Sequence, residues 1–175
     1  MLLGNLFKSV SKNYREISVN GIAFDSRKVK KKDVFFAIKG NEKSGIKFIN
    51  NAISKGASII VSNKKIKSKK NKTPILLVKD VRQSLAEASS NFYRKKPKNL
   101  IAVTGTNGKS SVADFFYQIL MFNNVPAASI GTLGVRSKSY NLKTNLTSMD
   151  SPSLHKNLQI LSKNKVNHVI LEASS

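Results

Sequence analysis

An α/β fold built on parallel sheets is what the chain predicts, and three observations carry that reading. Through the first 96 residues, short β-branched or aromatic runs alternate with stretches that are apolar at helical spacing. Pro97 then marks a boundary, because the residue before a proline is pushed out of helical backbone. Just after it, the apolar run Leu100–Val103 breaks into a glycine-bearing loop that opens an amphipathic stretch. We therefore expect a small α/β domain over residues 1–96 and an incomplete parallel-sheet domain over residues 97–175.

In the first part, residues 1–20 carry a loose apolar pattern ending in Ile17 and Val19, expected as a helix leading into a strand. Gly21 to Ala23 reads as a short strand closing on Phe24, Asp25, Ser26 and Arg27, where Asp-Ser also fits ordinary turn chemistry. Val34 to Ile38 is a β-branched and aromatic strand. Gly45 to Lys55 fits a helix, with Phe48, Ile49, Ala52 and Ile53 on one face and Gly56 ending it. Strands come next at Ala57–Val61 and Pro74–Val78, separated by a lysine-rich loop. A helix from Val81 to Tyr93 is lined by Leu85, Ala86, Ala88 and Phe92.

In the second part, strands are expected at Leu100–Val103, Ala127–Ile130 and His168–Leu171. Helices are expected over Val112–Met121 and over the stretch bearing Leu154, Leu158 and Leu161, while residues 135–152 read as polar and irregular. Three strands are too few to cover a sheet on both faces, which predicts an exposed edge and an uncovered apolar face.

Composition narrows the function. Hydrophobic residues make up 40% of 175, enough for a core, yet no run approaches the ~20 apolar residues of a membrane-spanning helix. The first residues lack the charged and apolar blocks of a signal peptide. The absence of cysteine removes disulfides and thiolate metal sites and fits a cytoplasmic protein. Net charge is +22, and most of the basic residues are lysines, densest at 28–32 and 64–72, with little aromatic interleaving. That pattern reads as solvated lysine faces rather than a nucleic-acid surface.

The loop Thr104-Gly-Thr-Asn-Gly108 with Lys109, Ser110 and Ser111 after it is the stretch that carries chemistry. Glycines let backbone N–H groups close around phosphate oxygens, and the helix start adds partial positive charge. Gly105 to Ser111, that is Gly105, Thr106, Asn107, Gly108, Lys109, Ser110 and Ser111, would hold a nucleotide triphosphate. Lys109 would reach the β/γ-phosphates as the catalytic cation, and the Ser110 hydroxyl would ligate Mg²⁺. The general P-loop has glycine where Val103 stands, so a plain strand-to-helix turn is the competing reading. Glu172, delivered by the last strand, lies where parallel sheets gather ligands and could join Ser110 on the metal; a surface glutamate is the alternative. His155 and His168 read as packing or surface residues, since neither has a partner at metal-ligand spacing.

Thr-Gly-Thr-Asn-Gly-Lys-Ser resembles the short P-loop of the Mur ligases, and the likeness extends along nearly the whole chain. Phe24-Asp-Ser-Arg27, Asp33 to Gly40, Gly45, Phe48-Ile49, Ala52 and Lys55-Gly-Ala57 are similar, in order, to that family's UDP-binding domain. Val81-Arg82, Phe92-Tyr93 and Pro97 match its approach to the loop. Ile130-Gly-Thr-Leu-Gly134, Thr147-Ser148 and Leu171-Glu-Ala-Ser-Ser175 match the family's stretches beyond the loop. Asp-Ser-Arg with Ile-Gly-Thr-Leu-Gly is most similar to the members that attach the third amino acid of the peptide. Ser44, Ile46 and Met149 depart from the family pattern.

The resemblance implies a UDP-binding domain at 1–96 and an ATP-binding domain at 97–175. It implies Phe24, Ser26, Asn41, Glu42 and Lys43 at the UDP moiety, and Thr147, Ser148 and Ser174 at the muramoyl peptide. ATP, with Mg²⁺ on Ser110 and Glu172, would activate a substrate carboxylate as an acyl phosphate. The amino group of meso-diaminopimelate or L-lysine would then displace phosphate on UDP-N-acetylmuramoyl-L-alanyl-D-glutamate. The full-length form is expected to be a cytoplasmic monomer acting without nucleic acid or membrane insertion. The family pattern continues past Ser175 with a histidine, a carbamylated lysine and an amino-acid-selecting domain, so this chain alone is expected to be inactive. Folylpolyglutamate synthetase shares the short P-loop, but its first domain usually begins there, and residues 1–96 argue against it. A basic polyanion-binding module with a degenerate P-loop is the rival from another class.

Overall fold

The computed structural model describes residues 1–8, 10–39, 45–65, 73–144 and 148–173. The chain divides into two compact units, Met1–Phe92 and Tyr93–Ser175. The first is a parallel sheet of β1 (Gly21–Ala23), β2 (Asp33–Phe36), β3 (Ile59–Ser62) and β4 (Ile75–Leu77), arranged side by side in chain order. A 3-10 turn over Gly45–Phe48 leads into α1 (Ile49–Ser54), and α2 (Val81–Phe92) comes after β4.

Strand side chains alternate between faces, and both faces of this sheet are covered. Val34, Phe36, Ile59 and Val61 share a core with Leu3, Leu6, Phe7, Val10 and Val19 from the N-terminal segment and with Val81, Leu85 and Ala88 of α2. Phe35, Ala37 and Ile60 pack on the other face with Val29 and with Ile49 and Ala52 of α1.

The helix expected over residues 1–20 is not there. Leu3–Asn5 and Lys12–Tyr14 are single 3-10 turns. The segment folds back on itself instead: Leu3 N–H donates to Ile17 C=O, Gly4 N–H to Arg15 C=O and Val19 N–H to Met1 C=O. The apolar residues at 3, 6, 7 and 10 still reach the core, all of them ahead of the Lys12–Tyr14 turn, which buries none of its own residues.

The second unit contains β5 (Asn99–Val103), α3 (Lys109–Phe122), β6 (Ala127–Gly131), β7 (Gly134–Ser137), α4 (Ser151–Lys163) and β8 (His168–Glu172). Sheet order is β5-β8-β6-β7, with β8 parallel to both β5 and β6. Strand β7 is antiparallel to β6 and corrects the irregular reading of residues 135–152. Gly131 and Gly134 flank a two-residue corner, with Gly134 at φ +91°. Val135 and Leu142 then exchange both backbone hydrogen bonds, which fixes the returning strand. Asp150 caps α4 by accepting from the Ser153 N–H at 2.8 Å, with Pro152 in the first turn. Leu158 and Leu161 of α4 pack on Ala128, Ile130, Val135 and Val169.

Strand β5 lies at the sheet edge, where Leu100 is 42% and Ile101 40% exposed. Hydrogen exchange should follow this difference in cover. Amides of Val34–Phe36 and Ile59–Val61 should be the slowest, those of Leu100–Val103 should exchange well before them, and protease should cut the region after Pro97 first. Equal protection of β2 and β5 would contradict this order.

Candidate functional site

The loop after β5 and the first turn of α3 form one side of the site. Gly105 has φ +146° and Gly108 φ +78°, backbone that a side chain would strain. Gly108 stands at the helix start and has no side chain to cap it, so the opening N–H groups of α3 remain available to an anion. Lys109 Nζ donates across the loop to Gly105 C=O at 2.5 Å and to Thr106 C=O at 3.4 Å, which holds the ammonium over the loop.

The end of β8 forms the other side. Glu172 is only 7% exposed, and its Oε2 accepts from Ser110 Oγ at 2.9 Å and from Thr132 Oγ1 at 3.0 Å. Its Oε1 accepts from the Thr132 N–H at 3.2 Å. A Cβ on Gly131 would collide with that same Oε1, so the carboxylate fits because residue 131 is glycine. Among the described residues no Lys or Arg pairs with this buried carboxylate. Two hard oxygen ligands and an unbalanced negative charge suit a divalent cation such as Mg²⁺, which completes its shell with water and phosphate. The same residues form no cluster of three or more His, Cys, Asp or Glu, so a closed protein cage is not what they make.

A second set of polar ties fixes α3 to the sheet. Arg136 of β7 pairs with Asp114, Gln118 Nε2 donates to Asp114 Oδ2 at 2.6 Å, and the Arg136 guanidinium lies 5.2 Å from the centre of the Tyr117 ring. Neither these residues nor Thr132 was singled out by sequence reasoning. The signal for Thr132 was a Gly-Thr-Leu-Gly corner directly after a buried strand.

In the first unit the parallel strands put their carboxyl ends together, and the turn after β1 stands there. Ser26 is buried and Phe24 exposed. Asp25 accepts from the Arg27 backbone N–H and grips its guanidinium, with Nη2 donating to Oδ2 at 2.8 Å. The hydrogen bond from the Arg27 side chain holds the Asp25 carboxyl below the usual carboxylate range. Lys55 Nζ donates to Arg27 C=O at 2.8 Å, and Arg82 at the start of α2 donates to Lys39 C=O. Of the remaining expected site residues, Asn41, Glu42, Lys43, Thr147 and Ser174 lie outside the described residues. Ser148 is described, and the next residue, Met149, lines a cavity of about 390 Å³ together with Tyr140, Lys143, Asp150 and Asn157.

Neither histidine joins the loop. His168 shares a 3.2 Å contact with Asn99 Nδ2 across the strands, and His155 lies on α4 with its Nδ1 buried and unbonded. Burial, then the charge of Lys96, lowers the His155 pKa. The unfolded chain therefore takes up this proton at higher pH than the folded one. The contribution is complete above about pH 6.5 and is lost as pH falls through the folded value. Unfolding midpoints should drop on acidification below that point, and His155→Leu should remove this component. A difference between variant and wild type that does not change with pH would contradict it.

Comparison with known proteins points to one family along both parts of the chain. Residues 18–93 match the Mur ligase family, catalytic domain, and residues 103–175 match the Mur ligase middle domain. A UDP-N-acetylmuramoyl-L-alanyl-D-glutamate–2,6-diaminopimelate ligase of Rickettsia montanensis is 43% identical over 166 residues, covering 93% of this chain and 34% of that protein. The ligase of the same name from Rhizobium meliloti is 41% identical over 159 residues, covering 91% of this chain and 32% of that one. A solved structure described by that ligase name superposes with a TM-score of 0.83 at 24% identity, over 99% of this chain and 36% of that one. MurF ligase from Thermotoga maritima, solved in complex with ADP, gives 0.56 at 25% identity over 89% and 32%. The chain thus spans about a third of the length of the curated relatives it matches. With two domain matches in succession and a glycine loop facing a buried glutamate, the chain belongs to the Mur ligase family.

Proposed function

We propose that the chain is the UDP- and ATP-binding part of an ATP-dependent ligase of peptidoglycan precursor synthesis. The full enzyme would join 2,6-diaminopimelate to UDP-N-acetylmuramoyl-L-alanyl-D-glutamate, the reaction named for relatives about 40% identical. The observation that carries the reading is the meeting of Ser110 with Glu172 at the mouth of the Gly105–Ser111 loop. It joins a phosphate-binding backbone to a buried carboxylate that, among the described residues, has no cationic side chain of its own.

Residues 1–96 would bind the UDP end through Phe24, Ser26 and the segment Asn41-Glu42-Lys43, and residues 97–175 would bind ATP. Thr147, Ser148 and Ser174 would face the muramoyl peptide. In the reaction a substrate carboxylate attacks the γ-phosphorus of ATP and breaks its bond to the β-phosphate oxygen, releasing ADP; an amine then attacks the acyl phosphate, and phosphate and a proton leave as the amide forms. The chain's own part is to orient and to neutralise. Loop N–H groups and Lys109 bind phosphate oxygens, the ammonium leaving its carbonyls for the stronger anionic partner. Ser110 and Glu172 would hold Mg²⁺, which when bound supplies charge against the phosphates. Such an enzyme works in the cytoplasm, where ATP and UDP-linked precursors are, as a monomer and without nucleic acid. No helix among the described residues is long and apolar enough to cross a membrane.

Lys109→Ala should weaken binding of a fluorescent ATP analogue to the 175-residue chain roughly ten- to a hundredfold, as expected for lost bonds between a charged donor and phosphate. Unchanged affinity would refute the loop's role. Ser26→Ala should weaken UDP binding by a few-fold to about tenfold, the range for one buried hydrogen bond, and leave ATP binding as it was. Titration calorimetry showing the reverse would move the UDP site elsewhere.

A further inference from the structure

The corner between β6 and β7 does more than reverse the chain. Thr132 is exposed, so no core packing requires a β-branched side chain there. Yet it gives Glu172 two hydrogen bonds, its N–H to Oε1 and its hydroxyl to Oε2, across 40 residues of sequence. Its neighbour Gly131 is the residue whose missing Cβ leaves room for the same carboxylate, with Oε1, Cδ and Cγ all inside contact distance of where that atom would be. An apolar residue at 172 would continue the buried face set by Ile170, so a carboxylate there must be held for a purpose other than packing. Among the described residues, two of the three bonds to Glu172 fall on Oε2 and one on Oε1, which leaves acceptor capacity for a cation.

We infer that Thr132 is a positioning residue for the metal-binding carboxylate. Its backbone and hydroxyl together fix the orientation of Glu172 toward Ser110, and Gly131 supplies the space in which that orientation fits. This rests on the reading of Ser110 and Glu172 as cation ligands. Groups that orient a metal ligand commonly matter to affinity almost as much as the ligand itself.

The test is Mn²⁺ binding to the 175-residue chain with ATP present, monitored by electron paramagnetic resonance, with UDP binding and the unfolding midpoint as controls. Thr132→Val should weaken Mn²⁺ roughly ten- to a hundredfold while UDP affinity stays at the wild-type value. Thr132→Ser, which keeps the hydroxyl, should restore most of the loss, and Gly131→Ala should weaken Mn²⁺ because its Cβ displaces the carboxylate. Thr132→Ala gives the same comparison should valine unsettle the corner. A Thr132→Val protein with wild-type Mn²⁺ affinity would overturn the assignment, as would one whose midpoint falls while Mn²⁺ affinity holds. Glu172→Gln separates the two levels: if it binds Mn²⁺ as the wild type does, the cation is not on Glu172, and the underlying site reading fails with the assignment.

Discussion

A buried carboxylate has to find donors or a cation, and the second unit is assembled around that requirement at Glu172. Two separate pieces of chain answer it: the first turn of α3 through Ser110, and the β6–β7 corner, where Thr132 donates and Gly131 makes room. Because the parallel register pairs Val103 with Glu172, the carboxylate stands beside the point where β5 releases the glycine loop. The loop, the helix and the hairpin therefore share one reference point. Moving Glu172 would take away the carboxylate that Ser110 and Thr132 share.

The first unit answers a different constraint. A parallel sheet needs cover on both faces, and here strict alternation along β2 and β3 divides Val34, Phe36, Ile59 and Val61 from Phe35 and Ile60. Because all four strands run parallel, the Phe24–Arg27 turn that follows β1 stands at the carboxyl end of the sheet. There the Asp25–Arg27 grip holds the turn's shape while the Ser26 side chain stays buried.

Most strands and helices were legible: Val34–Ile38 and Ile59–Val61 are unbroken apolar runs suited to a strand buried on both faces, and Leu154, Leu158 and Leu161 recur at helical spacing. The loop was legible because glycine, lysine and serine each do one thing there that few residues can. The features that escaped did so for physical causes. Residues 1–20 show helical spacing, but backbone pairing within the segment decided their shape. Strand β7 is only four residues, Gly134–Ser137, with Arg136 and Ser137 breaking its apolar character, and it exists through pairing with β6. The Gly-Thr-Leu-Gly corner marked a turn at Thr132, but its bond to Glu172, 40 residues away, is one that the corner alone does not encode.

Helix α3 shows why the polar ties carry so much of this unit. At about 100° per residue, Ala113, Phe116, Tyr117 and Leu120 turn toward the sheet, whereas Val112, Phe115, Ile119 and Phe122 turn away. The outward four are all exposed, Phe122 by 82%. A helix apolar on both sides has the sequence of one packed between two layers, so burial on one side uses only part of the apolar surface it offers. Its hold on the sheet then leans on specific bonds: Ser110 to Glu172 at the first turn, and Asp114 to Arg136 one turn later. These ties fall in the half of the helix nearest the loop. The phosphate-facing end is thus secured by directional contacts, while the far end around Ile119 and Phe122 keeps an open apolar face. The geometry at Lys109 and Ser110 depends on the buried glutamate more than on how well the rest of the helix is covered.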